Sequence, residues 1–164
     1  MSETSNFENS EHVRSIERAV LGGLMLETER YDSVCLIISH NDFEGKDHQS
    51  IFQSMGELVN SNKPLDPLTV SDRLDSKNLL TRAGGKNYLI DLASTSPSAA
   101  NLEAYAGMVR QKSISRRLMK INSEIKFSET TMSSSKYLGY GKIKGKLNHN
   151  SLGPAAAPQT HNSP

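Results

Sequence analysis

The chain has 164 residues, one cysteine, no tryptophan and a formal net charge of +1. That length suits one ordinary domain, and a lone thiol cannot close an internal disulfide, so nothing points to an oxidising compartment. The near-neutral charge leaves no electrostatic footprint of a nucleic-acid binder, and no apolar run approaches the roughly 20 residues that cross a bilayer.

The first ten residues are polar and acidic, unlike a secretory or transit peptide. They read as a disordered N-terminus, and the location expected for the chain is the cytoplasm. Helical periodicity begins after Ser10, a good N-cap, with Glu11 near the positive end of the helix dipole. Val13, Ile16, Val20, Leu21 and Leu24 then repeat at helical spacing. Gly22 and Gly23 interrupt that pattern at a cost of about 1 kcal/mol each relative to alanine, which predicts close approach of a neighbouring helix. A second, short helix is expected over 31–38. In a third, Asp47 serves as N-cap and Ile51, Phe52, Met55, Leu58 and Val59 share one face. Asn60 to Pro64 forms a loop.

Asp66 before Pro67 predicts a capped helix start, continued by Leu68, Ser71 and Leu74. Gly84-Gly85 breaks the chain, and Tyr88, Leu89 and Leu92 form the apolar face of a fifth helix. The last helix opens at Pro97 with Ser98 as N-cap and is expected to run to about Ile125. Its stripe comprises Leu102, Tyr105, Val109, Ile114, Leu118, Ile121 and Ile125, with a phase slip between Val109 and Ile114. The predicted fold is all-α: a compact multi-helix head of about five short helices spanning 11–126 with one long C-terminal helix.

After Phe127 the composition turns to serine, glycine and lysine, and the formal charge changes from −2 over residues 1–127 to +3 over 128–164. Such a segment cannot bury enough apolar surface to offset its ordering entropy. Residues 127–164 are therefore expected to be a low-complexity disordered tail.

The wording of the helical part is specific. The run from Ile16 to Tyr31, Asp42-Phe43 with His48 to Phe52, and Pro64 to Val70 with Leu74 stand in order. Gly84-Gly85 with Tyr88-Leu89 follows, then Thr95 to Asn101 with Tyr105 and Val109-Arg110. Together these blocks resemble the N-terminal domain of the DnaB family of bacterial replicative DNA helicases. The resemblance implies a head carrying a two-helix hairpin, hence a hairpin-type last helix. In the family, hairpins pair two protomers, pairs build a collar on a hexameric ring, and the collar receives primase; a helicase loader is a further partner. DNA is met through the full ring, whose RecA-like motor uses ATP and Mg.

The chain departs from the family after about Ile125, where a second hairpin helix, a linker and the motor would follow. A P-loop needs Gly-x-x-x-x-Gly-Lys followed by Ser or Thr, so that backbone amides cradle the phosphates. Gly85-Lys86, Gly141-Lys142 and Gly145-Lys146 each lack that frame. The expectation is a module without ATPase activity and without a cofactor, as a truncated or frameshifted gene would encode.

His12, His40, His48 and Cys35 are scattered without metal-ligand spacing, so no metal site is expected. Cys35 reads as a small buried apolar residue. The pairs Asp42/Glu44 and Asp72/Asp75 read as a loop start and a solvated face rather than as acid–base machinery. Tyr105, Val109, Ile114, Leu118, Ile121 and Ile125 are the protein-interface candidates. Arg110, Arg116, Arg117 and Lys120 are weak nucleic-acid candidates: the absence of interleaved aromatics favours a solvated face. Three functions follow: an assembly and primase-docking module, a dominant-negative or accessory regulator of helicase assembly, and a small helical DNA-binding protein.

Overall fold

A computed structural model describes the backbone of residues 2–150 and the side chains of residues 8–134. Six helices follow one another: α1 (Ser2–Leu26), α2 (Tyr31–Cys35), α3 (Lys46–Asn60), α4 (Pro67–Asp75), α5 (Gly85–Ser94) and α6 (Leu102–Asn150). Short 3-10 turns at Thr28–Arg30, His40–Asp42 and Ala99–Asn101 precede α2, α3 and α6. The described residues contain no strand. The chain divides into two compact units, Met1–Arg117 and Leu118–Pro164, with the boundary inside α6.

The core of the first unit follows the apolar periodicity. Val20, Leu21 and Leu24 of α1, Ile51 and Met55 of α3, Val70 and Leu74 of α4, and Leu89 and Leu92 of α5 are almost fully buried. Tyr31, Phe52 and Phe43 stack in series, with ring centroids 5.4 and 5.0 Å apart. Leu102, Ala106 and Val109 close the core from α6.

Local rules explain several boundaries. Asp66 caps α4 by accepting the Leu68 and Thr69 amides at 2.9 and 3.0 Å, and Pro67 occupies the first turn, where its missing N–H costs nothing. Asn62 and Asn78 adopt left-handed φ values of 53° and 57° just past α3 and α4. There Lys63 returns its amide to Leu58 and Leu79 to Leu74, satisfying carbonyls that a helix end otherwise leaves open. Gly84, at φ 98°, supplies the left-handed turn into α5. At Gly22 a Cβ would run into the Leu92 backbone and lie 2.9 Å from the Ser96 side chain. The expected close approach is that of the C-terminal end of α5.

Four expectations need correction. Helix α1 begins at Ser2, so Ser10 is an interior residue of that helix rather than its N-cap. Helix α3 takes Gly45 as N-cap; Asp47 lies one residue inside it and is drawn away to Arg14, 2.5 Å distant. The second helix stops at Cys35, and Cys35 is exposed. Val34 and Ile38 take the inward positions there, leaving Cys35 and the adjacent Leu36 outside.

The fourth concerns the end of the last helix. Helix α6 does not end near Ile125 but continues to Asn150. In these turns Ser128, Thr130 and Thr131 return their hydroxyls to the carbonyls of Ile125, Lys126 and Phe127. Residues 151–164 of the expected tail lie outside the described residues.

Candidate protein interface

In the first unit, the inward face of α6 runs through Leu102, Ala106 and Val109 and ends at Ser113, which is 1% exposed. The phase slip in the sequence is therefore a change of chemistry. A polar residue takes the next core position, and its apolar neighbour Ile114 is left 44% exposed. The second unit presents Leu118, Ile121, Ile125 and Met132, all exposed and recurring at three-, four- and seven-residue steps. Such spacing places them along one side of a helix. Met119 and Phe127 are exposed as well. Of the interface candidates, Val109 is 1% exposed and its side chain is used by the core, while Tyr105 is partly buried against that core.

Ser113 faces Asp42, whose carboxyl group is fully buried. Oδ1 accepts the Ser113 hydroxyl at 2.7 Å, Arg110 at 2.9 Å and Arg117 at 3.0 Å. Oδ2 accepts the Ser39 amide at 2.8 Å and the Ser39 hydroxyl at 3.2 Å. Arg116 donates to the Asp42 carbonyl at 2.5 Å. Burial alone would raise the Asp42 pKa. The bonds from Ser39 and Ser113 and the charge of Arg110 outweigh it and hold the carboxyl below its ordinary value. With its acceptor sites filled, this group has no capacity to shuttle protons; it is an anchor for α6.

This geometry also locates the weak nucleic-acid candidates. Arg110, Arg116 and Arg117 turn onto one residue of their own chain, while Lys120 lies 3.9 Å from Glu124 on the exposed helix. They do not form a row of unengaged cations. Glu44 is exposed, as are Asp72 and Asp75 on α4.

A second polar network was not legible from spacing. Glu17 of α1 and His48 of α3, both buried, meet through Oε2 and Nδ1 at 2.6 Å. Glu17 Oε1 accepts the Glu44 amide at 2.5 Å. His48 Nε2 lies 2.6 Å from the Tyr88 hydroxyl. In the neutral tautomer that satisfies every partner, Nδ1 donates to Glu17 and Nε2 accepts the phenol proton. Tyr88 also receives Arg14 at 3.4 Å, and the Arg18 guanidinium sits 5.5 Å from its ring centroid. The network ties α1, α3 and α5 together.

His12 and Cys35 lie apart from this network, and no group of three or more potential metal ligands converges among the described residues. Desolvation pushes the Cys35 thiol pKa up, against a lowering contribution from its bond with Tyr31. Such a thiol is a poor nucleophile near neutrality. Of these groups, Asp42 had a sequence signal in the Ser39-x-x-Asp42 capping box, and Ser113 had one in the phase slip.

Residues 9–111 match the DnaB-like helicase N terminal domain family. The Replicative DNA helicase DnaB of Buchnera aphidicola subsp. Baizongia pistaciae is 41% identical over 109 residues, which is 66% of this chain and 24% of that protein. The Replicative DNA helicase DnaB of Haemophilus influenzae is 35% identical over 114 residues, 70% of this chain and 24% of its own. The chain thus spans about a quarter of the length of these curated relatives. The crystal structure of the N-terminal domain of DnaB helicase from Mycobacterium tuberculosis superimposes with a TM-score of 0.66 at 35% identity, covering 68% of this chain and 80% of that one. The corresponding domain from Helicobacter pylori, described together with its interactions with primase, gives a TM-score of 0.65 at 22% identity, covering 73% and 94%. At that identity it attests the fold alone.

Proposed function

Because the chain belongs to the DnaB-like helicase N-terminal domain family, we propose that it is an assembly and primase-docking module of a replicative DNA helicase. The observation that carries this reading is the row of exposed apolar side chains, Leu118, Ile121 and Ile125, in the second unit. Each is between 48% and 58% exposed. Covering what remains of such side chains contributes about 1 kcal/mol apiece, enough to favour a partner surface over water.

The first partner is a second copy of the chain, in keeping with the paired hairpins of the family. The second is primase, which the family's collar receives; a helicase loader is a third. DNA is engaged through the assembled ring and not by the arginines around Asp42, whose charges are already engaged within the chain. ATP and Mg belong to the motor of the family. The chain itself takes no nucleotide, because no Gly-Lys pair in it has the phosphate-gripping frame. The absence of an apolar membrane-crossing helix among the described residues agrees with a cytoplasmic place of work.

Sedimentation velocity of the full chain, alone and with primase, tests the proposal. A concentration-dependent rise in mass and a co-sedimenting complex are expected. A species that stays monomeric at high micromolar concentration and ignores primase would overturn it.

A further inference from the structure

Resting on the assembly reading above, the geometry points to Asp42 as the positioning residue of α6. It fixes the axial rotation and register of the Leu102–Arg117 stretch, and so decides that Ile114 in that stretch is offered to a second copy of the chain.

Apolar packing alone sets the rotation of a helix loosely, because one methyl group replaces another at little cost. Buried, fully paired ionic contacts are unforgiving: a small displacement strands a desolvated charge. Helix α6 uses both devices in sequence. Leu102, Ala106 and Val109 pack into the core, and Ser113, at the next inward position, replaces apolar contact with a 2.7 Å hydrogen bond to Asp42. Arg110 reaches the same carboxylate from the preceding turn and Arg117 from the following one, at 2.9 and 3.0 Å. Arg116 takes the backbone carbonyl of the same residue.

Four side chains spread over 110–117 therefore converge on a single residue. A slip of one position would turn the helix face by about 100° and undo these contacts together. Asp42 is itself held, since Ser39 donates both its amide and its hydroxyl to Oδ2. The arginines keep much of their hydration, with Arg110 and Arg117 side chains 44% and 53% exposed against 0% for the Asp42 side chain. The desolvated charge therefore sits on the loop, and the helix supplies the donors that compensate it. Ile114, one residue beyond Ser113, is turned outward by this arrangement.

The test compares the wild-type full chain with Asp42→Asn and with Asp66→Ala, a control that removes a cap from α4 and leaves α6 untouched. Hydrogen exchange over residues 102–117 and the self-association constant from sedimentation equilibrium are the two readouts. Asp42→Asn is expected to accelerate exchange in that stretch and to weaken self-association, each by about tenfold or more, the scale of a lost charge-assisted bond. Asp66→Ala should accelerate exchange in α4 and leave association unchanged. Equal loss of association in both variants, or wild-type exchange in α6 of Asp42→Asn, would overturn the inference.

Should Asp42→Asn fail to fold, the double variant Ser113→Ala/Arg117→Gln removes two of the donors and is expected to shift both readouts part of the way. Wild-type behaviour of that variant would overturn the inference equally. A wild-type chain that never self-associates refutes the assembly reading, and the exchange measurement then decides the positioning role by itself.

Discussion

At the scale of single residues, the carboxylates of this chain act as structural acceptors. Asp66 is the plainest case: its pKa is lowered chiefly by the Thr69 hydroxyl, and then by the Thr69 and Leu68 amides, against a smaller opposing contribution from burial. A group whose folded pKa is depressed stabilises above its unfolded pKa and loses that contribution as pH falls through the folded value. Asp66→Ala is therefore expected to cost about 1 kcal/mol at neutral pH. The difference from wild type should shrink as acid protonates the carboxyl below its ordinary range near about 3.9. Urea unfolding at neutral and acid pH reads it; a gap that stays constant with pH would contradict the capping account. Asp42 and Glu57 shift in the same direction, Glu57 chiefly through its bond with Lys77 and then with Arg73. Asp66 was legible beforehand, since a cap and the amides it satisfies lie within three residues. The burial of Glu17 and His48 was not, because the pair is 31 residues apart.

At the scale of elements, glycines discriminate between packing and propensity. Gly22 sits where a Cβ would meet the Leu92 backbone, whereas nothing lies within 4 Å of a Cβ added at Gly107 in α6. Gly22→Ala should destabilise by about 1–3 kcal/mol through overpacking. Gly107→Ala should be neutral or stabilise by up to about 1 kcal/mol through helix propensity. Denaturant midpoints of the two variants measure the contrast, and equal effects would refute the close approach of α1 and α5. The order of the helices followed from apolar periodicity, and α4 from its Asp-Pro start. The boundaries that misled were those where composition stood in for conformation. Ser10 has the chemistry of an N-cap but lies inside α1, and the last helix runs on through the serine- and threonine-rich turns after Phe127. A cap motif or a polar run is permissive for a boundary and does not compel one.

At the scale of the whole molecule, the exposed apolar side chains between Leu118 and Met132 and the packed core of the first unit should respond independently to mutation. Ile121→Ser combined with Ile125→Ser is expected to change the denaturant midpoint of the core by no more than a surface substitution does, within about 0.5 kcal/mol. It should weaken self-association by roughly tenfold, since two apolar anchors are lost from the proposed interface. Sedimentation equilibrium beside circular dichroism separates the two effects, and an unchanged association constant would remove these residues from the interface.

Short-range chemistry in the residue order is enough for the helical class, the Asp66 cap, the glycine turn before α5 and the ordered blocks that mark the family. Packing in three dimensions selects which polar groups go inside. Asp42 becomes the anchor of α6 because Arg110, Ser113 and Arg117 arrive from 68 to 75 residues away. No local pattern encodes that meeting, since it exists only once the apolar faces of α1, α3 and α6 have packed and excluded water from the space between them.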